Sequence, residues 1–301
     1  MRVTNNMLTQ NLLKNLQIAN NKMDLIQQQL ASGQRITKPS DDPVKIETAM
    51  RLKGTLSRME QWQKNAGQGL AFMDTTEGIL ANMTSMLQRV RELAVQGANG
   101  ANAKEDLAQI GTEIKELTEQ FRVLANSQYG AKYIFSGTKT DQIPMPQPYT
   151  VGGFQWQGNE ERIVVEVGAN LNMPISINGK ELFGIDTEGG SSAFFQTLTD
   201  LSQAINDNNS AGIDQALGEI DQHIDRVLAV RAELGARTNR LEVISNQLDH
   251  SVINLKKNLS DIQDVDMAEA IMEFQSIQNT FRAALSVGSQ IIQPSLVDFI
   301  K

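Results

Sequence analysis

"LASGQRITKPSDDPVKIETAMRLK", residues 30–53, separates two long helical patterns. Gly33 permits a left-handed helix end, and Pro39 and Pro43 stiffen the chain that follows. Asp41 and Asp42 directly precede Pro43, an order typical of a helix start, because Asp caps free backbone N–H groups and Pro suits the first helical position. We therefore interpret Gly33, Pro39, Asp41, Asp42 and Pro43 as a stiff hinge and not as a catalytic carboxylate pair.

The pattern before the hinge is a narrow apolar stripe on an otherwise polar helix. Its members recur at alternating spacings of four and three, which fits a coiled-coil seam and an ordinary bundle helix equally well over so short a run. The stripe consists of Leu12, Leu16, Ala19, Met23, Ile26 and Leu30.

A longer repeat occupies the C-terminal third of the chain. Apolar residues recur every seven positions over residues 213–262, which favours a seam over a globular helix face. The repeat consists of Ile213, Ile220, Val227, Leu234, Leu241, Leu248, Leu255 and Ile262. Because neither narrow stripe can be buried alone, the N- and C-terminal helices are expected to meet. The residues expected at the assembly interface are Leu12, Leu16, Met23, Ile26, Leu30, Leu248, Leu255, Leu259 and Ile262.

The middle of the chain predicts two more helices and a small β-rich region. Residues 43–97 are helical in pattern, and a second helix follows "ANGAN" with an apolar face from Leu107 to Leu124. Residues 141–190 contain the strand-like "FQWQ" and "RIVVEV", and Asn178–Gly179 predicts a hairpin turn. A further helix is expected to begin near Ser191 or Ser192, either of which can cap it.

Composition excludes several classes of function. The chain has 27 basic and 35 acidic residues, a net charge of −8 and no cysteine. No basic block suits nucleic acid, and no apolar run is long enough to insert into a membrane. The start, "MRVTNNMLTQNLLKNL", lacks the apolar segment of a cleavable signal peptide.

No catalytic or cofactor site is predicted. His223 and His250 are the only histidines and lie apart on one helix, without a companion set of metal ligands. "GQGLAF" at residues 67–72 has Phe72 where a dinucleotide-binding loop needs its third glycine. We therefore expect neither an enzyme nor a bound cofactor or metal.

Three motifs in the same order resemble the bacterial flagellins and related axial proteins. They are the hinge of residues 30–53, "DTTEGILANMTSMLQRVRELAVQGANG" at residues 74–100 and "LGARTNRLE" at residues 234–242. Within that family, "NSQYGAKYIFSGTKT" at residues 126–140 and "SLVDFI" at residues 295–300 resemble the hook-associated protein 3 branch. Ile300 departs from the Leu that is usual there.

The resemblance implies a mainly α fold of long antiparallel helices. In this fold the N- and C-terminal regions form a coiled coil, and a small β-rich domain is inserted. It implies inner helices at 1–38 with 262–301, disordered in the monomer, and a helical core at 39–140 with 191–261. The hinge would join these two modules. The β-rich insert at 141–190 is expected to be dispensable for assembly.

The resemblance also implies a function in the flagellum. The expected role is a structural junction that connects the hook, through hook-associated protein 1, to the flagellin filament; the alternative is a filament flagellin. Implied partners are hook-associated protein 1, flagellin, an export chaperone, and further copies in a closed ring of about eleven subunits. The implied location is extracellular, after export without signal cleavage.

Overall fold

The computed structural model describes residues 2–99, 103–146, 154–185 and 190–292. Long helices dominate this part of the chain, which confirms the predicted fold class. The elements are α1 (Arg2–Ser32), α2 (Pro43–Gly97), α3 (Lys104–Ala125), β1 (Gln128–Tyr129), β2 (Lys132–Tyr133), β3 (Val164–Gly168), β4 (Leu171–Pro174), α4 (Gly179–Phe183), α5 (Ala193–Asn206), α6 (Ser210–Gln263) and α7 (Met267–Ile292).

Helix α5 begins as its sequence predicts. The Ser192 hydroxyl accepts a hydrogen bond from the Phe195 backbone N–H at 3.4 Å, so Ser192 is the N-cap. The apolar face of the helix is buried, with Phe194, Leu198 and Leu201 each at most 1% exposed.

The β-rich region differs from its prediction at Asn178. The Asn178 side chain accepts a hydrogen bond from the Lys180 backbone N–H at 2.9 Å and thereby begins α4, so the predicted hairpin turn is wrong. The hairpin that does form joins β3 to β4 through Asn170, whose φ is 60°. "FQWQ" contributes a single bridge, from Gln155 to Ser191, and not a strand.

The chain divides into two compact units. We call residues 59–250 the central unit, and residues 1–58 with 251–301 the terminal unit. Both boundaries fall inside helices α2 and α6, and not at the hinge. The three modules expected from the sequence therefore stay a prediction about the assembled protein.

Within the central unit, α2 and α6 run antiparallel. Arg91 pairs with Asp221 at 2.6 Å, and Gln63 donates to Asp249 further along the same helix pair. The predicted heptad residues from Ile213 to Leu248 are all buried. Arg231 lies between the heptad residues Val227 and Leu234. Its guanidinium donates to Glu77 at 2.6 Å and to Thr84 at 3.4 Å.

The β-rich insert shares the core of the central unit. Trp156 is fully buried and donates its indole N–H to the Phe135 carbonyl at 3.0 Å. Ile175, in the insert, contacts the position of Gly69 on α2, where an added Cβ would lie 3.1 Å from it. Removing the insert would therefore expose buried helix surface and should lower stability, and the expectation that assembly does not need the insert stays a prediction.

The terminal unit contains an antiparallel pair formed by α1 and α7. Lys22 pairs with Glu273 at 2.6 Å, and Gly288 faces Leu12. A Cβ added to Gly288 would lie 2.7 Å from the Leu12 Cδ2 atom, so any larger residue at this position would force the Leu12 side chain to move. The matching stripe on α7 is buried or half-buried and consists of Ala270, Phe274, Ile277, Phe281, Ala284 and Gly288.

Candidate assembly surfaces

The hinge is fastened to the connection between α6 and α7. Gly33 has a φ of 69°, as predicted for a left-handed helix end. The Arg35 backbone N–H donates to the Gln263 carbonyl at 2.7 Å, and the Val265 N–H donates to the Gly33 carbonyl at 3.0 Å. These bonds form a short antiparallel bridge between Gln34 and Asp264, which joins the hinge to the α6–α7 connection.

The two aspartates of the hinge have separate capping roles. The Asp41 carboxylate accepts from the backbone N–H groups of Lys38 and Thr37 at 2.9 and 3.1 Å. The Asp42 carboxylate accepts from the Lys45 N–H at 3.1 Å and caps α2, which Pro43 begins. These backbone hydrogen bonds lower the pKa of both carboxyl groups, because they favour the charged form. Capping therefore accounts for both carboxylates.

A second capping residue, Asp266, was missed by sequence reasoning. Its carboxylate accepts from the N–H groups of Ala268 and Glu269 at 2.9 and 3.2 Å and starts α7. The signal was present, because Asp266 followed by Glu269 has the spacing of a capping box. Aspartates therefore cap the helices that follow both connections: Asp42 caps α2 after the hinge, and Asp266 caps α7 after α6.

The structure places the predicted interface residues of α1 on the inward face of that helix. Leu12, Leu16, Met23 and Leu30 are half-buried, and Ile26 is buried. The neighbouring helix in this chain is α7, whose Gly288 lies against Leu12. These residues therefore form a seam within one chain, and their role between subunits stays a prediction.

The predicted interface residues of α6 also point inward. Leu248 is buried and belongs to the central unit, and Leu255, Leu259 and Ile262 are half-buried in the terminal unit. Ile253, between two of them, is 62% exposed. A second subunit would meet Ile253 more readily than the heptad residues.

The apolar side chains that face outward lie mostly in the terminal unit. Of the large hydrophobic residues that are exposed in the described part of the chain, thirteen of nineteen belong to the terminal unit, although it is the smaller of the two. The regular apolar spacing of the sequence marks the inward seams and does not mark this outer surface. The thirteen are Met7, Leu8, Leu13, Ile18, Leu25, Val44, Met50, Ile253, Met267, Ile271, Met272, Leu285 and Val287.

His223 is buried in the central unit. Its Nε2 lies 3.2 Å from the Thr197 hydroxyl, and Arg226 lies 3.4 Å from its Nδ1. Burial, followed by the Arg226 charge, lowers the pKa of His223 to about 4, against a smaller opposing effect of Glu219. His250 is exposed elsewhere on α6, so the two histidines share no site.

A cavity of about 640 Å³ lies against α3 and α5 in the central unit. Its lining is chiefly hydroxyl and amide side chains, with Lys115, Glu119 and Phe154. Within the described ranges, no group of three potential metal-ligating residues converges. Among the helices that the structure describes, none has the length and apolarity needed to cross a membrane.

Comparison with known protein families identifies the long helices. Residues 3–140 match the bacterial flagellin N-terminal helical region, and residues 217–300 match the bacterial flagellin C-terminal helical region. The chain belongs to the bacterial flagellin family. It is therefore a structural component of the bacterial flagellum, and the two matched regions contain most of the residues of α1, α2, α6 and α7.

Both flagellins and hook-associated proteins are among the proteins similar to this chain. Flagellin of Bacillus subtilis is 33% identical, with 91% of this chain and 90% of the relative covered. Flagellar hook-associated protein 3 of Salmonella typhimurium is 26% identical, with 85% and 86% covered. A solved structure of a candidate hook-associated protein from Vibrio parahaemolyticus has a TM-score of 0.66 and 25% identity, covering 74% of this chain and all of the other.

Proposed function

We propose that this flagellin-family chain is the junction protein that connects the flagellar hook to the filament. The observation that carries the proposal is the agreement of sequence and fold with hook-associated proteins over most of the chain. The motif at residues 126–140, which resembles the hook-associated protein 3 branch, supports it further.

The proposed partners are hook-associated protein 1 below the junction, flagellin above it, and further copies of the chain in one ring. An export chaperone would bind the chain before export. After export, the chain would lie outside the cell, in the flagellum. The hinge would link inner helices to an outer body. The exposed apolar surface of the terminal unit supports these assembly roles, because large exposed apolar surfaces mark sites of protein interaction.

A filament flagellin is the second candidate function. The 33% identity to Bacillus subtilis flagellin over 91% of this chain favours it. The two candidates differ in what each subunit needs beneath it. A filament flagellin adds to its own kind without limit, whereas a junction protein stops after one layer and accepts flagellin.

Gene deletion in the source organism tests the proposal. The chromosomal gene for this chain is removed, and swimming is measured together with flagellin released into the medium. A junction role predicts non-motile cells that carry hooks and secrete unassembled flagellin, with rescue by the intact gene. Loss of filaments without any secreted flagellin, or filaments built from this chain, would instead identify a filament subunit.

A further inference from the structure

Basic residues concentrate in one band of the terminal unit. Residues 48–58 and 251–260 contain five Lys and Arg side chains and no acidic one, in a chain whose net charge is −8. Gln263 lines a cavity with Ala49 and Met50, so these segments of α2 and α6 lie at the same level of the helix pair. All five side chains are exposed: Arg51, Lys53, Arg58, Lys256 and Lys257.

Acidic residues concentrate elsewhere, between residue 181 and the first part of α6. Residues 181–225 contain nine Asp and Glu side chains and no Lys or Arg. Asp214, Gly218, Asp221 and Asp225 follow one another at spacings of four, three and four, which places them on one helix face. All four are exposed, and Asp221 pairs with Arg91 at 2.6 Å.

Each charged face has an exposed glycine in its centre. Gly54 lies between Arg51 and Arg58 on α2, and Gly218 lies between Asp214 and Asp221 on α6. A Cβ at Gly54 or Gly218 would meet nothing within 4 Å. Glycine weakens a helix interior, and packing within the chain does not require it at either position. Close approach of another helix backbone would require it.

The two faces match in spacing as well as in charge. Along α2, Gly54 comes three residues after Arg51 and four before Arg58. Read backwards along α6, Gly218 comes three residues after Asp221 and four before Asp214. In an antiparallel pair with the two glycines opposed, Arg51 would therefore stand opposite Asp221, and Arg58 opposite Asp214.

We infer that copies of this chain bind one another through these faces, with Arg51, Gly54 and Arg58 of one copy against Asp214, Gly218 and Asp221 of the next. The inference rests on the proposed function, because it names the contact behind the expected self-association. Such a head-to-tail contact leaves one face free at each end, so it closes a ring or extends a stack.

Charge reversal of each face tests the contact with the purified full chain. One variant carries Arg51→Glu and Arg58→Glu, and the other carries Asp214→Arg and Asp221→Arg. Sedimentation velocity at low salt should show self-association of the wild type, weakened at least about tenfold in each variant and by added salt. An equal mixture of the two variants should associate again, because every contact between unlike copies then joins opposite charges.

Two controls separate the contact from general charge and folding effects. Lys64→Glu with Lys115→Glu makes the same change in net charge as the Arg51→Glu and Arg58→Glu variant, at exposed positions outside the band, and should leave association unchanged. Gly54→Ala should raise the melting temperature, because alanine favours helix, yet Gly54→Leu should block association by holding the helices apart.

Several results would overturn the inference. They are a wild type that stays monomeric at low salt, variants that associate like the wild type, and a mixture that does not recover. If the variant with Arg51→Glu and Arg58→Glu self-associates like the wild type but its cells do not swim, the basic face binds another flagellar protein instead. The proposed function is judged separately: variants that fail to associate while the deletion phenotype remains that of a junction would overturn the contact alone.

Discussion

The central and terminal units contain similar helices but differ in how completely they bury them. The twelve largest fully buried side chains, among them Trp156, Phe121 and Phe194, all lie in the central unit. The terminal unit buries chiefly smaller groups such as Ile26, Ala49 and Val252, and it exposes most of the large apolar side chains. The central unit is therefore expected to fold by itself, whereas the terminal unit is expected to gain its stability from neighbouring subunits.

The largest loss of stability is expected from Trp156→Ala. The side chain is fully buried, and its loss should lower the free energy of unfolding of the central unit by about 3–5 kcal/mol. Trp62→Ala is the matched control, because Trp62 is half-buried and donates to Glu166 at 3.2 Å. Chemical denaturation followed by circular dichroism measures both. Equal losses for the two variants would mean that the insert is not part of the core.

Acid should weaken the central unit through His223. Its pKa is lowered to about 4 in the folded chain, so the unfolded chain binds the proton more strongly. Stability is therefore complete above about pH 6.5 and is lost as the pH falls toward 4, by roughly 3 kcal/mol. The measurement is the unfolding free energy against pH, with His223→Gln as comparison. A wild-type slope that persists unchanged in this variant would assign the effect to other groups.

Gly288→Leu should disturb the terminal unit alone. The new side chain would meet Leu12, and such overpacking costs about 1–3 kcal/mol. We expect faster proteolysis of α1 and α7 with an unchanged unfolding transition of the central unit. Gly235→Ala, where an added Cβ meets nothing within 4 Å, should leave the proteolysis of α1 and α7 unchanged. A lowered central transition in Gly288→Leu would link the stabilities of the two units.

The smallest loss of stability is expected from a substitution in the hinge. Asp42→Ala removes the side-chain cap of α2 and should destabilise only the first turn of that helix. Hydrogen exchange at Lys45 and Ile46 should increase, while the amides near Leu80 keep their protection. Unchanged exchange at the first turn would show that Pro43 alone fixes the helix start.

Local rules predicted much of this fold from the sequence. Pro43 and Ser192 mark helix starts, and the stripe on α1 and the heptads of α6 mark buried faces, because all of these follow from spacing and capping along one helix. The burial of Trp156 depends instead on the Phe135 carbonyl and on helices distant in the chain. Such long-range packing leaves no periodic signal in the insert itself.

The assembly surfaces were harder to predict for a related reason. Regular apolar spacing reports a seam, but it does not say whether the partner is the same chain or another one. Leu16 and Leu255 were predicted to meet other subunits, and the structure places both on inward faces. The outward residues Leu13 and Ile253 have no regular spacing, so only the structure distinguishes them.

Hydrogen exchange of the free chain and of intact flagella tests the central claim most directly. In the free chain, we expect rapid exchange throughout α1 and α7 and slow exchange in α2 near Leu80 and in α6 near Leu234. In purified flagella, α1 and α7 should become as protected as the central unit, because neighbouring subunits cover their outer faces. Slow exchange of α1 and α7 in the free chain, unchanged on assembly, would contradict the claim that the terminal unit depends on its neighbours.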